Sequence, residues 1–452
     1  MKKLRALFLV TLFATPLLRA EPAGWAQVPG ILARIRAPVF PAHDFVITNY
    51  GAVADGRTDC TVAMGKAIAA CNKAGGGRVV IPAGEFLSGP IHLKSNVDLH
   101  LAATNSVLKF STDPKAYLPA VFTRFEGMEC WNYSPLIYAY GQENIAVTGE
   151  GTLDGQADVT HWWPWKGRES RGAEARPSAG ARLVKMVTDS TPVDQRRFGE
   201  GDNLRPSFIE PNHCCNILIE GVKIRRSPMW EIHPVLCSNV IVRGVDIVSH
   251  GPNNDGCDPE SCRDVLIENC LFDTGDDCIA IKSGRNNDGR RVGVPSVNLV
   301  IRDCTMRDGH GGVTIGSEIS GSCSNVFVEN CSMDSTNLDR AIRLKSNAVR
   351  GGVIQNVFAR NVNVGSVADA VLQIDFLYEE GTNGIYKPVA RNVALENITV
   401  AHTPRVLNVR GFPGAEISNV RIYNSTFKRV AKPDVVKDAD VKLVNCSLEP
   451  AK

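Results

Sequence analysis

Four short clusters of polar residues stand in order between positions 253 and 345. They are Asn253-Asn254-Asp255, Gly275-Asp276-Asp277, Gly309-His310-Gly311 and Arg343-Leu344-Lys345. Asp255, Asp276 and Asp277 are candidates for acid–base work. Three carboxyls held close together cannot all ionise freely, so one keeps its proton near neutral pH and becomes a general acid beside a general base. His310 lies between glycines, which leave room for a ligand to approach; it could tune the acid's protonation or bond a ligand hydroxyl. Arg343 and Lys345 are two apart and would share a strand face, where a planar fork and a point charge suit one carboxylate. Plainer readings exist for each: a solvated Asp turn, a structural histidine, or a salt-bridged strand with Asp339 or Glu318 as partner. The spacing favours chemistry. Asp255 to Asp277 is 22 residues, His310 follows 33 later and Arg343 another 33 later. A coil of about 22–35 residues would stack all four clusters on one face. Asp276 and Asp277 are neighbours, so both face a cleft only if the chain bends or bulges near Gly275.

The element that would position them is a repeat. Segments beginning at Asn144, Asn216, Asn239, Asp264, Asn298, Asn325, Asn356, Asn392 and Asn419 share one pattern. Each opens on Asn or Asp, alternates apolar residues, and closes on Asn, Asp or Gly. Period-2 alternation gives a half-buried strand, and the flanking residues tolerate the positive φ that bends a coil. One coil cannot bury its apolar face alone, whereas coils stacked in parallel about 4.8 Å apart build a continuous core. The expected fold is all-β, a right-handed parallel β-helix (solenoid) over residues 45–452. Residues 61–73 have helical apolar spacing and form a short N-terminal capping helix over the open end. The glycines at 75–77 lack the Lys-Ser/Thr ending of a phosphate loop. Residues 155–207 interrupt the repeat with Arg, Gly, Pro and His161-Trp162-Trp163-Pro164-Trp165. Such a loop could stack tryptophans on a ligand or simply pin itself to the coil.

Residues 1–20 read as an export signal. Lys2, Lys3 and Arg5 precede an apolar stretch too short for a typical span, and residues 21–44 form an N-terminal extension. Removing residues 1–20 takes the net charge from +2 to −2, which argues against nucleic-acid binding. After cleavage no membrane contact is expected, the location is secreted or periplasmic, and a capped solenoid needs no partner subunit, so a monomer is expected. Of the 14 cysteines, Cys270, Cys304, Cys331 and Cys446 share one repeat position and read as stacked core residues. Cys257 with Cys262, or Cys214 and Cys215 with other partners, could be bridged. No metal-ligand spacing stands out, and no cofactor is expected.

In order and spacing the four clusters resemble the motifs of the polygalacturonase family of glycoside hydrolases (family 28), usually Asn-Thr-Asp, Gly-Asp-Asp, Gly-His-Gly and Arg-Ile-Lys. Asn254 and Leu344 depart from that pattern at non-catalytic positions. The resemblance covers about residues 45–427. It implies hydrolysis of α-1,4 links between galacturonate units with inversion, on a pectic polysaccharide or oligogalacturonide. It further implies that Asp276 is the general acid, that Asp255 and Asp277 activate the water, and that His310 assists the acid. Arg343 and Lys345 would hold a substrate carboxylate, with Tyr378 a further contact; Asn253 and Lys282 complete the expected binding set. Residues 155–207 and 281–285 could wall off one end of the cleft and admit only a non-reducing terminus, so exo action is expected. Alternatives are an endo-enzyme, a rhamnogalacturonan hydrolase, a calcium-dependent lyase, or a non-catalytic pectin-binding β-helix.

Overall fold

The computed structural model describes residues 24–166 and 178–451. Short strands form a 13-stranded sheet, a 12-stranded sheet and a third face of three- and six-stranded sheets. All of these pair in parallel, coil upon coil, as a right-handed parallel β-helix. The inward residues form one continuous core that includes Ile217, Val240, Val265, Leu299, Val326 and Val357 at one stacked position.

The repeat's flanking residues bend the coil as expected. Asn144, Asn216, Asn239, Asp264, Asn298, Asn325, Asn356, Asn392 and Asn419 all have φ between 51° and 61°. Their side chains also form a ladder. Asn216 Nδ2 donates to Asn144 Oδ1 at 2.9 Å, Asn239 to Asn216 at 2.8 Å, and the pattern resumes from Asn298 to Asn419. Each amide both gives and accepts, which contributes about 1 kcal/mol per rung. Asp264 can only accept, so the Arg36 N–H donates to Asn239 Oδ1 in its place at 2.8 Å, while Arg34 pairs with Asp264 at 2.7 Å.

Helix Thr61–Lys73 closes the N-terminal end, burying Met64, Ala67, Ile68 and Cys71. At the other end, among the described residues, no helix follows the last coil, and Val436, Val444 and Leu448 stay exposed. The N-terminal extension is a strap, not a free arm. Trp25, Val28, Ile31 and Ile35 cover an outward apolar column of Ala146, Leu218, Ile241, Leu266, Val300 and Phe327. The export signal expected at residues 1–20 lies outside the described residues. Among the described residues no helix is long and apolar enough to cross a membrane.

The expected cysteine bridges are absent: all fourteen thiols are free. The repeat explains why. Cys214, Cys237 and Cys262 stack at one corner and each donates to a carbonyl two residues back, at 3.2–3.4 Å. Cys257 points into the core, and Cys270, Cys304 and Cys331 form the expected buried column, with Cys446 only partly covered.

Candidate active site

The strand Leu271–Thr274 ends just before Gly275, and the next strand, Ile279–Ile281, belongs to another face. Asp276 and Asp277 therefore occupy the corner between two sheets, a bend that turns Asp276 into the cleft and leaves Asp277 buried. Glycine is required there: a Cβ on Gly275 would come within 2.4 Å of the Gly251 carbonyl, and one on Gly309 within 2.6 Å of the Asp276 carbonyl. The Gly256 N–H donates to the Asp277 carbonyl at 3.0 Å, so Asp255 lies one coil below Asp277. The His310 N–H donates to the Asp276 carbonyl at 3.1 Å and places the imidazole one coil above. Arg343 pairs in register with Thr314, further along the coil. The four clusters thus share a face but not a single column, because the coil turns a corner between Asp277 and Ile279.

One oxygen from each of Asp255, Asp276 and Asp277 lies within 4.8 Å of the others. Their surroundings differ sharply. Asp277 is fully buried. Its Oδ1 accepts from Thr314 Oγ1 at 2.8 Å and Arg343 Nη1 at 3.2 Å, and its Oδ2 from Lys345 Nζ at 2.8 Å. Burial opposes its ionisation, but Lys345 and Arg343 outweigh burial and hold it well below the usual carboxylate range. Asp276 Oδ1 faces His310 Nδ1 at 3.0 Å. Burial again works against ionisation and the histidine again prevails, lowering Asp276; the same contact raises His310 above its ordinary value. Asp255 has no such donor on Oδ1. Burial first, and the Asp276 charge second, push it up to about 8. The resting proton of the cluster therefore lies on Asp255, whereas the resemblance assigns the acid to Asp276.

The remaining expected residues also converge. Asn253, Lys282, Arg343, Lys345 and Tyr378 line one cavity of about 240 Å³ together with Asp255, Asp276 and His310. Arg205, buried and unforeseen, donates from Nη2 to Asn253 Oδ1 at 2.7 Å. Tyr378 presents its ring to Arg343 at 5.7 Å and Lys345 at 5.2 Å. The salt-bridge partner of Arg343 and Lys345 is Asp277; neither Asp339 nor Glu318 fills that place. Lys282 faces inward more than expected. Its ammonium is 3.2 Å from Glu318, 3.5 Å from Asp258, 3.6 Å from Asp255, and 4.4 Å above the Trp230 ring. Asn254, the departing residue, holds the turn by donating to the Ser227 and Met229 carbonyls.

Glu126, Lys166, Trp230, Ser317, Glu318 and Glu379 also line the cavity and were not foreseen as site residues, and Arg285 joins them. Several belong to a wall. Strands Val121–Phe125 and Met128–Asn132 form an antiparallel hairpin whose tip, Glu126-Gly127, meets Arg285. The Arg285 N–H donates to the Gly127 carbonyl at 2.9 Å, and its Nη1 pairs with Glu126 at 2.7 Å. Lower down, Arg196 and Asp288, Arg291 and Glu129, and Arg124 and Glu260 pair across the same contact. The Arg196–Asp288 and Arg124–Glu260 pairs are buried and lock that geometry, because losing one partner strands the other. The segment at residues 281–285 thus contributes Arg285 to the wall as expected. The inserted region contributes Lys166, while its tryptophans follow the plainer reading. Trp162 is buried edge-on against Tyr117 and Trp165, and Trp163 donates to the Ser227 carbonyl at 2.9 Å. Residues 167–177 of that insertion lie outside the described residues.

The family model for glycosyl hydrolases family 28 matches residues 196–413, and one for rhamnogalacturonase A/epimerase, pectate lyase-like proteins matches residues 45–129. A solved structure of a hyperthermoactive exopolygalacturonase from Thermotoga maritima is 42% identical, with a TM-score of 0.89, covering 95% of this chain and 96% of its own. A probable polygalacturonase from Vitis vinifera is 29% identical, covering 84% of this chain and 74% of the relative. An exo-poly-alpha-D-galacturonosidase from Dickeya chrysanthemi is 26% identical over 84% of this chain, which spans 62% of that relative's length. On the Thermotoga likeness along nearly the whole chain, with the carboxyl cluster in place, the chain belongs to glycosyl hydrolases family 28.

Proposed function

We propose that the protein is an exported exo-polygalacturonase that removes galacturonate from the non-reducing end of pectic chains. The observation that carries this reading is a small cavity lined by Asp255 and Asp276, with Asp277 buried beside them, and by a cationic shelf on the other side, bounded at one side by a clamped hairpin. Ligand sites are commonly about 300–1,000 Å³; a cavity of about 240 Å³ suits a terminal sugar better than the middle of a polymer. Arg343 and Lys345, backed by Tyr378, take the substrate carboxylate. His310, charged at rest, passes its proton to Asp276 across their 3.0 Å contact, and Asp276 gives it to the glycosidic oxygen as the bond to the anomeric carbon breaks. Water attacks that carbon from the opposite face, and its proton passes to the Asp255/Asp277 pair.

The pair can accept that proton once Asp255 has released its own, while His310 must still be charged. The competent form grows with pH towards the Asp255 titration and shrinks as His310 loses its proton, so the rate profile is a bell. Inversion follows the family resemblance. The nearest oxygens, within 4.8 Å, are closer than the roughly 6.5–9.5 Å usual between inverting carboxyls.

The test is a time course on polygalacturonic acid with chelator present, following reducing ends and separating products. Galacturonate alone from the first minutes, released as the β anomer, is the expected result. A ladder of oligomers would make the enzyme endo-acting, and absence of new reducing ends would overturn the assignment. Export is tested by N-terminal sequencing of the protein recovered outside the cytoplasm.

A further inference from the structure

Asp258 is a fourth carboxyl beside the cluster, and the mechanism above does not use it. It is 0% exposed and does not line the cavity. Neither of its oxygens has a hydrogen-bond partner, and Asp255 Oδ1 has none either. Two buried carboxyls on one turn, each with an open oxygen, are best satisfied when one is an acid and donates to the other.

The charges facing Asp258 agree. Lys282, from the coil above, is 3.5 Å from Asp258 Oδ1. That ammonium is shared with Glu318 at 3.2 Å and Asp255 at 3.6 Å, so one cation faces three carboxyls. Asp277 adds a further negative charge nearby, and Ala280, in register above, adds nothing. In the coil below, His233 shares the register position, but its Nε2 is engaged by Glu260 at 2.9 Å and its Nδ1 by Ser207 at 3.1 Å. Among the described residues no second side-chain cation pairs with Asp258, and a buried carboxylate whose partner is shared three ways is costly to ionise. Burial foremost, then the Asp255 charge, moves its titration well upward.

We infer that Asp258 is a positioning residue, a permanently protonated acid that donates its hydrogen bond to Asp255 and so stabilises the ionised form Asp255 needs as a base. It does not line the cavity and acts through Asp255. The inference rests on the proposed hydrolase reading, and its test separates the two.

Asp258→Asn preserves a donor towards Asp255 and an acceptor towards Lys282; Asp258→Leu preserves shape only. With Asn, kcat should stay within about threefold and the acidic limb of the rate profile should not move. With Leu, kcat should fall roughly 10- to 150-fold, as for a lost hydrogen bond to a charged group, and that limb should shift upward by about 1–2 pH units. KM should change little in either. If Asn moves the limb downward by a unit or more, Asp258 is an ionised counter-charge to Lys282 and the inference fails. Infrared difference spectra need no substrate. The wild type should show a protonated-carboxyl band above the Asp255 titration that Asp258→Asn lacks; its absence in folded wild type also overturns the inference. A protein inactive on polygalacturonic acid that still shows the band would sink the substrate reading alone.

Discussion

Replacing Asp255 by Asn should stabilise the protein at pH 8 while abolishing turnover. The carboxyl is 3% exposed, and burial together with the Asp276 charge pushes it up to about 8. In an unfolded chain it titrates near about 3.9. Between those values the folded chain keeps a proton that the unfolded chain releases. The group therefore costs nothing below about pH 4, and its cost grows by about 1.4 kcal/mol per pH unit until the folded carboxyl itself ionises. The full interval corresponds to about 5.5 kcal/mol. Water in the open cavity and movement of the Lys282 ammonium reduce this to roughly 2–3 kcal/mol. Asn keeps the shape and removes the titration. With an unfolding entropy of about 2.1 cal/mol/K per residue, a chain of this length gains about 2–3 °C in Tm at pH 8 and less than about 1 °C at pH 4.5. Scanning calorimetry of both proteins at matched scan rates reads the difference. Equal shifts at the two pH values, or a loss at pH 8, would refute a buried protonated Asp255.

Other outcomes follow from the same contacts. Lys345→Met leaves buried Asp277 with only Arg343 and Thr314; stability at pH 7 should fall by roughly 3–4 kcal/mol in denaturant titrations. Adding Asp277→Asn should restore most of that stability but no activity. His310→Gln should lower kcat roughly 100-fold or more with KM within about threefold. Because Asp276 raises His310, the wild-type rate falls only above the ordinary histidine range, and the variant should lose that limb. Thiol titration of the native protein should reach only Cys215 and Cys446, the two that are not buried, with the remainder reacting after denaturation.

What could be read in the sequence was whatever the coil repeats. Asn and Asp at fixed intervals mark the turns, and alternation marks the inward residues, so the stacking of Asp255 under Asp277 and His310 over Asp276 was legible. Tyr378 and Lys282 were legible only through the family pattern. The wall was not legible. Arg285 meets Glu126 across 159 intervening steps of chain, and nothing in the local sequence of either residue announces the other. Arg205 was hidden for the same reason, inside an Arg-rich insertion where every arginine looks alike. The bridging allowed for Cys257 and Cys262 does not form because composition weighs thiols by compartment, whereas the repeat gives each one a core position and Cys262 a carbonyl to donate to.

Stacking identical side chains has opposite consequences at the two kinds of column. Along the asparagine ladder each amide donates to the one before it, so repetition is self-satisfying and adds stability with every coil. In the cleft the same coil spacing brings together carboxylates, which accept and cannot donate. That column must import its donors. Thr314, Arg343 and Lys345 serve Asp277, and His310 serves Asp276. Asp255, with Lys282 shared three ways, is left short. The deficit is what raises one carboxyl into the range where it can exchange protons, so reactivity arises where the repeat is least satisfied. Exchanging cleft aspartates for the ladder's own residue should therefore stabilise the fold wherever a donor was lacking, at Asp255. It should destabilise the fold wherever cations were built in, at Asp277. The signs of those two substitutions at pH 8 would distinguish this account from one in which the whole acidic cluster is simply strained.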